Sequence, residues 1–226
     1  MQTWDTGAAF VAAMARRVRD LTRMAPALGE THRFLLLSIL IGILAGTLVV
    51  CFHLAIEYVG WRTVHTLEPA PWWRTMLWPA LGAGVSWALV HWGFPAARGS
   101  GVNATKAAVL VSNGYVPSSS ITGKFVGSAL SIGSGNPMGP EDPALQMGAG
   151  IASVLGRLFR LSREHRRMIA PVGAAAGIGA AFNTPITAVL FVMEEVVAGW
   201  NAGVLGSIVL AAASAVVVRR WYLGDD

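Results

Sequence analysis

Between Phe34 and Tyr58 the chain carries a single formal charge, Glu57, in a run of leucine, isoleucine, valine, alanine and glycine. About 20 apolar residues rising 1.5 Å each cross the hydrocarbon core of a bilayer. Lipid offers no partner for backbone N–H and C=O groups, so a run of this kind is a helix. The rest of the chain agrees. Of its 226 residues 54% are hydrophobic and 13% charged, with a mean hydropathy of +0.55, whereas a soluble domain has about 25% charged residues. Glycine and alanine are abundant, as close-packed membrane helices require. These features predict an all-α, polytopic membrane protein.

The net charge of +5 does not point to nucleic acid, because the basic residues sit beside the apolar runs. Arg16, Arg17, Arg19, Arg23 and Arg33 precede or open the first run; Arg157, Arg160, Arg163, Arg166 and Arg167 read as one loop. Positive-inside bias places both groups, and the N-terminus, in the cytoplasm of a multi-pass cell-membrane protein. The one cysteine, Cys51, lies in an apolar run, which excludes an intrachain disulfide. The first apolar run begins too far in for a cleavable signal peptide.

Residues 1–32 form a leader whose stretch from Ala8 to Met24 has apolar residues at roughly helical spacing. It reads either as a helix on the membrane surface or as a cytosolic leader. A polar connection with Arg62, Glu68 and Pro69 follows the first span, then Trp72, Trp73 and Trp78, which read as an interface anchor. A second span is expected from Met76 to Trp92. Beyond it the pattern breaks up: Ala104 to Ser112 and Ile121 to Ile132 are too short to cross. Broken segments at membrane depth are tolerated only when buried in protein or lining a cavity. Helices are expected again over Pro140–Leu158, Met168–Phe182, Pro185–Val197 (after an Asn183-Thr184 cap) and Val204–Val218.

Three segments carry chemistry. Glycines at 133, 135 and 139 and prolines at 137, 140 and 143 end one helix and start another, with Glu141 at the new N-terminus. The unpaired N–H groups there favour an anion, either the Glu141 carboxylate itself or a dissolved anion competing with it. An ionisable group flanked by apolar helices marks a functional site, although the same residues also suit a capping acid in a solvent loop. Gly99-Ser100-Gly101 lets the backbone approach a ligand and offers a hydroxyl donor, and it is equally an ordinary flexible turn. Lys106, on the short helix that follows, reads as a snorkelling cation. Glu194-Glu195 ends a later helix; successive helical residues point about 100° apart, so one carboxylate can face the cytoplasm and the other an internal path. The same pair also reads as two interfacial acids.

Taken in order, these segments resemble the CLC family of chloride channels and proton-coupled chloride transporters. Gly99-Ser100-Gly101-Val102 resembles the family's Gly-Ser-Gly-Ile-Pro anion-binding segment, and Gly139-Pro140-Glu141-Asp142-Pro143 its Gly-Arg-Glu-Gly-Pro gate; Gln146-Met147-Gly148 looks like the helix that follows. The longest match runs from Gly173-Ala174-Ala175-Ala176-Gly177 through Ala181-Phe182-Asn183-Thr184-Pro185 to Leu190-Phe191-Val192-Met193-Glu194-Glu195. The resemblance covers about residues 34–222. It leaves the leader over 1–32 unplaced and implies the first inverted half of a CLC-type membrane domain over 33–226.

By this resemblance Ser100 and Gly101 bind the central chloride and Glu141 is the gating carboxylate that occupies an anion site when ionised. Asp142 stands beside the anion path, and Glu195 is the inner proton-transfer acid. Glu195 favours an exchanger over a passive channel, and Ser100 favours chloride over nitrate. Three departures stand out: Pro140 replaces arginine and removes an N–H, Asp142 replaces glycine and adds a negative charge that repels chloride unless protonated or paired, and Asn103 replaces proline. The expected partners are chloride, protons, the lipid bilayer, a second half and, in the complete protein, a second copy; no metal or cofactor is called for. The second half of the family would supply the central tyrosine and a facing helix N-terminus. The chain thus reads as a fragment, or as a half that needs a partner. Other readings are a passive channel, an inactive interaction subunit, and an intramembrane serine hydrolase using Ser100 or Ser134. The last lacks a base, because no histidine lies in the later spans.

Overall fold

In the computed structural model the described residues are 30–63, 72–197 and 202–224, and they contain helices and no strand. Helix α1 (Glu30–Thr63) has 34 residues and is about 51 Å long, more than a hydrocarbon core needs. Helix α2 (Trp72–Ala88) contains Pro79 and ends in a wide π turn over Leu89–Gly93, closed by Phe94 N–H donating to Leu89 O at 3.2 Å. The short helices follow: α3 (Gly101–Leu110) and α4 (Ser118–Gly133). Then come α5 (Glu141–Leu158), α6 (Arg163–Phe182), α7 (Pro185–Phe191) with a second π turn over Val192–Val196, and α8 (Ala202–Leu223).

Helix α6 is the centre of the fold. Every residue from Ile169 to Ala181 is buried, and the helix packs on α5, α8 and α1. Its small side chains are the reason. A Cβ placed on Gly148 of α5 would lie 2.1 Å from the Gly173 carbonyl oxygen, and one on Gly177 would lie 2.1 Å from that of Ala144. Here backbone meets backbone, so neither side can yield. We expect Gly148→Leu to cost at least the 1–3 kcal/mol typical of overpacking and to lower the melting temperature by several degrees. A thermal melt of the detergent-solubilised protein checks this, and an unchanged melting temperature would mean that α5 and α6 separate freely.

Among the described residues two helices, His32–Thr63 and Val204–Leu223, are long and apolar enough to cross a membrane. Large apolar side chains remain exposed on α2, α7 and α8, among them Trp87, Ile186 and Trp221. Surface of this kind suits lipid or protein better than water. Trp73 is exposed and Trp78 half-buried. The Trp72 side chain, Glu68, Pro69 and the leader with Arg16, Arg17, Arg19 and Arg23 lie outside the described residues.

Two local expectations need correction. The arginines at 157–167 do not fill a loop. Arg157 ends α5, Arg160 takes a left-handed turn (φ 50°), and Arg163, Arg166 and Arg167 belong to α6. Helix α6 starts early because the Ser162 hydroxyl accepts from the His165 N–H at 3.5 Å, an N-cap that the arginine run hides. Of the expected Asn183-Thr184 cap, Thr184 is the N-cap of α7, with proline following it, whereas Asn183 is not. It closes α6 in the left-handed conformation (φ 58°), a role asparagine tolerates, and its Oδ1 accepts from Arg220 Nε at 2.9 Å.

Candidate functional site

Ser100 caps α3 in an extended conformation, after Gly99 at φ +76°, a value that favours glycine. The cap turns the Ser100 hydroxyl and the N–H groups of Gly101 and Val102 toward one point. A carboxylate occupies that point, and it belongs to Asp142. Ser100 Oγ donates to Asp142 Oδ1 at 3.0 Å, and Val102 N–H donates to the same oxygen at 3.2 Å. Gly101 N–H reaches both oxygens, at 2.7 and 2.8 Å. This is how a helix N-terminus binds an anion.

The approach of α3 to α5 makes the contact possible. A Cβ on Gly101 would lie 2.5 Å from the Asp142 carbonyl oxygen and 2.8 Å from Gln146 Cβ. From α4, Lys124 Nζ donates to Asp142 Oδ2 at 2.9 Å and to the Gly99 carbonyl oxygen at 2.7 Å. The Lys124 side chain is only 9% exposed and that of Asp142 32%. Lys124 thus ties the Gly99 loop to the bound carboxylate and neutralises it. Sequence reading missed this residue, although a lone cation in an apolar helix is itself a signal. The pairing also answers the expected repulsion: Asp142 is held by a cation instead of standing free.

Glu141, one residue earlier, is exposed and does not enter this cradle. Its side chain folds over Gly139, where a Cβ would lie 1.9 Å from Glu141 Oε2. The two neighbouring carboxylates therefore occupy different places: Asp142 lies against Ser100 and Glu141 lies outside it.

The Glu194-Glu195 pair sits in the second π turn, closed by Val197 N–H donating to Val192 O at 3.0 Å. Glu194 is exposed, whereas Glu195 is half-buried and accepts from Lys106 Nζ at 2.5 Å. Lys106 is therefore the partner of Glu195 and does not snorkel alone. Because α3 carries both Ser100 at its cap and Lys106 along its length, one short helix touches both candidate sites. Two buried oxygens, Thr105 Oγ1 on α3 and Gln146 Oε1 on α5, have no hydrogen-bond partner among the described residues.

Comparison with known proteins shows what the whole chain is similar to. The chain is 31% identical over 204 residues to an H(+)/Cl(-) exchange transporter, ClcA, from Vibrio cholerae, covering 85% of this chain and 43% of that one. Its fold superposes with a TM-score of 0.74 and 26% identity on a slow cyanobacterial Cl-/H+ antiporter, over 88% of this chain and 48% of the other. A CLC-type fluoride/proton antiporter gives a TM-score of 0.73, also at 26% identity, over 86% and 48%. The chain thus spans about half the length of the relatives it matches. The family described as voltage gated chloride channel matches residues 81–226, a stretch that holds the Ser100 cap, the 139–143 segment and the α5–α6 core. The all-helical, membrane-embedded architecture is that of half a CLC fold, and the chain belongs to the CLC family of voltage gated chloride channels.

Proposed function

We propose that the chain builds one half of a chloride/proton exchanger, the half that carries the anion cradle. The observation that carries this reading is the cradle itself: Ser100, Gly101 and Val102 converge three donors on one carboxylate. Donors arranged for a carboxylate also suit a halide, since both are desolvated anions met by N–H and O–H groups. The matched relatives named as Cl-/H+ exchangers support the substrate assignment.

In this reading Ser100 and Gly101 bind chloride, Glu141 is the gate, and Glu195 passes the proton. The placement of Glu141 outside the cradle fits a gate that can swing, and the half-buried Glu195 fits an acid reached from one side. The protein is a multi-pass protein of the cell membrane with a cytoplasmic N-terminus. It joins a second half to close the site, and the complete protein pairs with a second copy.

The test is anion selectivity in the protein assembled with a second half. Ser100→Ala removes one hydrogen bond to an ion, worth about 1.5 kcal/mol at the low end, and should change chloride-over-nitrate discrimination roughly tenfold. Flux measurements in liposomes with the two anions read this directly. Unchanged discrimination would reduce Ser100 to a helix cap and remove the main support for the assignment.

A further inference from the structure

We propose that Asp142 is a tethered anion that competes with chloride for the Ser100 cradle, with Lys124 as the counter-charge that either anion uses. The proposal rests on the reading of Ser100 and Gly101 as the chloride site and adds how that site is occupied and regulated.

The geometry separates Asp142 from a simple helix-capping acid. A capping carboxylate bonds to N–H groups of its own helix. Asp142 instead turns to another helix, α3, and accepts from that helix's first N–H groups and from its cap hydroxyl. It also meets Lys124 from a third helix, and that cation is nearly inaccessible to water. A buried cation needs a negative partner, because an unpaired charge in such a place is strongly disfavoured. A chloride ion in the cradle would satisfy Lys124 as well as the carboxylate does. The donors stay in place for either anion.

Competition follows from the tether. Asp142 begins α5 one residue after its first position, and α5 is fixed against α3 at Gly101. An anion held this way acts at an effective concentration of roughly millimolar or higher, so dissolved chloride of similar concentration does not displace it efficiently. Glu141 does not share this role, since its side chain folds over Gly139. The carboxylate that fills the Ser100 cradle is thus the neighbour of the proposed gate and not the gate itself.

The test uses the chain assembled with a second half, in lipid nanodiscs, titrated with chloride against gluconate at constant ionic strength. Calorimetry gives the affinity, and the melting temperature gives an independent reading, because a ligand that binds only the folded state raises it. Asp142→Ala should bind chloride about tenfold or more tighter than the unsubstituted chain and melt higher as chloride rises. Asp142→Asn keeps the side-chain volume, loses the charge, and should shift in the same direction; it replaces the alanine variant if that one does not fold. Adding Lys124→Met to Asp142→Ala should remove the gain. Identical chloride dependence in the unsubstituted chain and both variants would overturn the proposal. So would failure of both variants to fold at every chloride concentration, which would make the carboxylate a permanent brace. Loss of exchange in liposomes with the binding gain intact would instead sink the exchanger reading and leave the tethered anion standing.

Discussion

Glu195→Gln in the assembled protein should abolish proton movement in liposomes while part of the chloride flux persists. Glutamine keeps the shape and most of the hydrogen bonding of glutamate but has no proton to exchange at accessible pH. Glu195 is half-buried, and its carboxylate is met by the Lys106 ammonium at 2.5 Å, so the substitution also leaves a cation without its partner. The pair is partly exposed, so its loss should cost little in stability, about 1 kcal/mol or less. The effect should therefore appear in coupling and not in folding. Glu141→Gln should stop proton transport as well, because a permanently neutral gate cannot follow pH. Parallel recordings of chloride and proton flux separate the two variants. Proton transport that survives Glu195→Gln would end the exchanger assignment for that residue and turn attention to Glu194, exposed in the same π turn.

The second large effect concerns the site's open side. Gly99 and Ser100 are exposed, and a desolvated chloride needs donors around it. Unsatisfied polar backbone in hydrocarbon costs several kcal/mol per group. Residues 1–226 alone should therefore insert into a bilayer, bind no measurable chloride with Asp142 in place, and exchange none. Supplying a second half, fused or co-expressed, should restore exchange and dimer formation. Chloride-driven proton uptake by purified 1–226 would overturn this and would mean that two copies of one half build the pathway.

Much of this was legible in the residues, and the limits were local. The span from Phe34 to Tyr58 was plain because apolar length alone decides it, and the prolines and glycines at 133–143 announced a new helix at Glu141. The π turns were not legible, since one extra residue in a turn leaves the apolar pattern nearly unchanged. The choice between neighbouring carboxylates was hidden for a different reason. Which of Glu141 and Asp142 reaches Ser100 depends on where α3 crosses α5, and that crossing is set by the absence of a side chain at Gly101. Lys124 and Lys106 were readable as charges but not as partners, because Asp142 and Glu195 lie on other elements, 18 and 89 residues away.

Helix α3 also joins the two candidate sites through one short element. Its cap holds the donors to Asp142, and Lys106 lies six residues from Ser100, about 9 Å along the axis. A helix this short moves as one stiff piece, so a shift of the cap to fit a different anion would carry the ammonium of Lys106 toward or away from Glu195. Anion size at one end would then be converted into the electric field felt by an acid at the other, with no flexible segment between them.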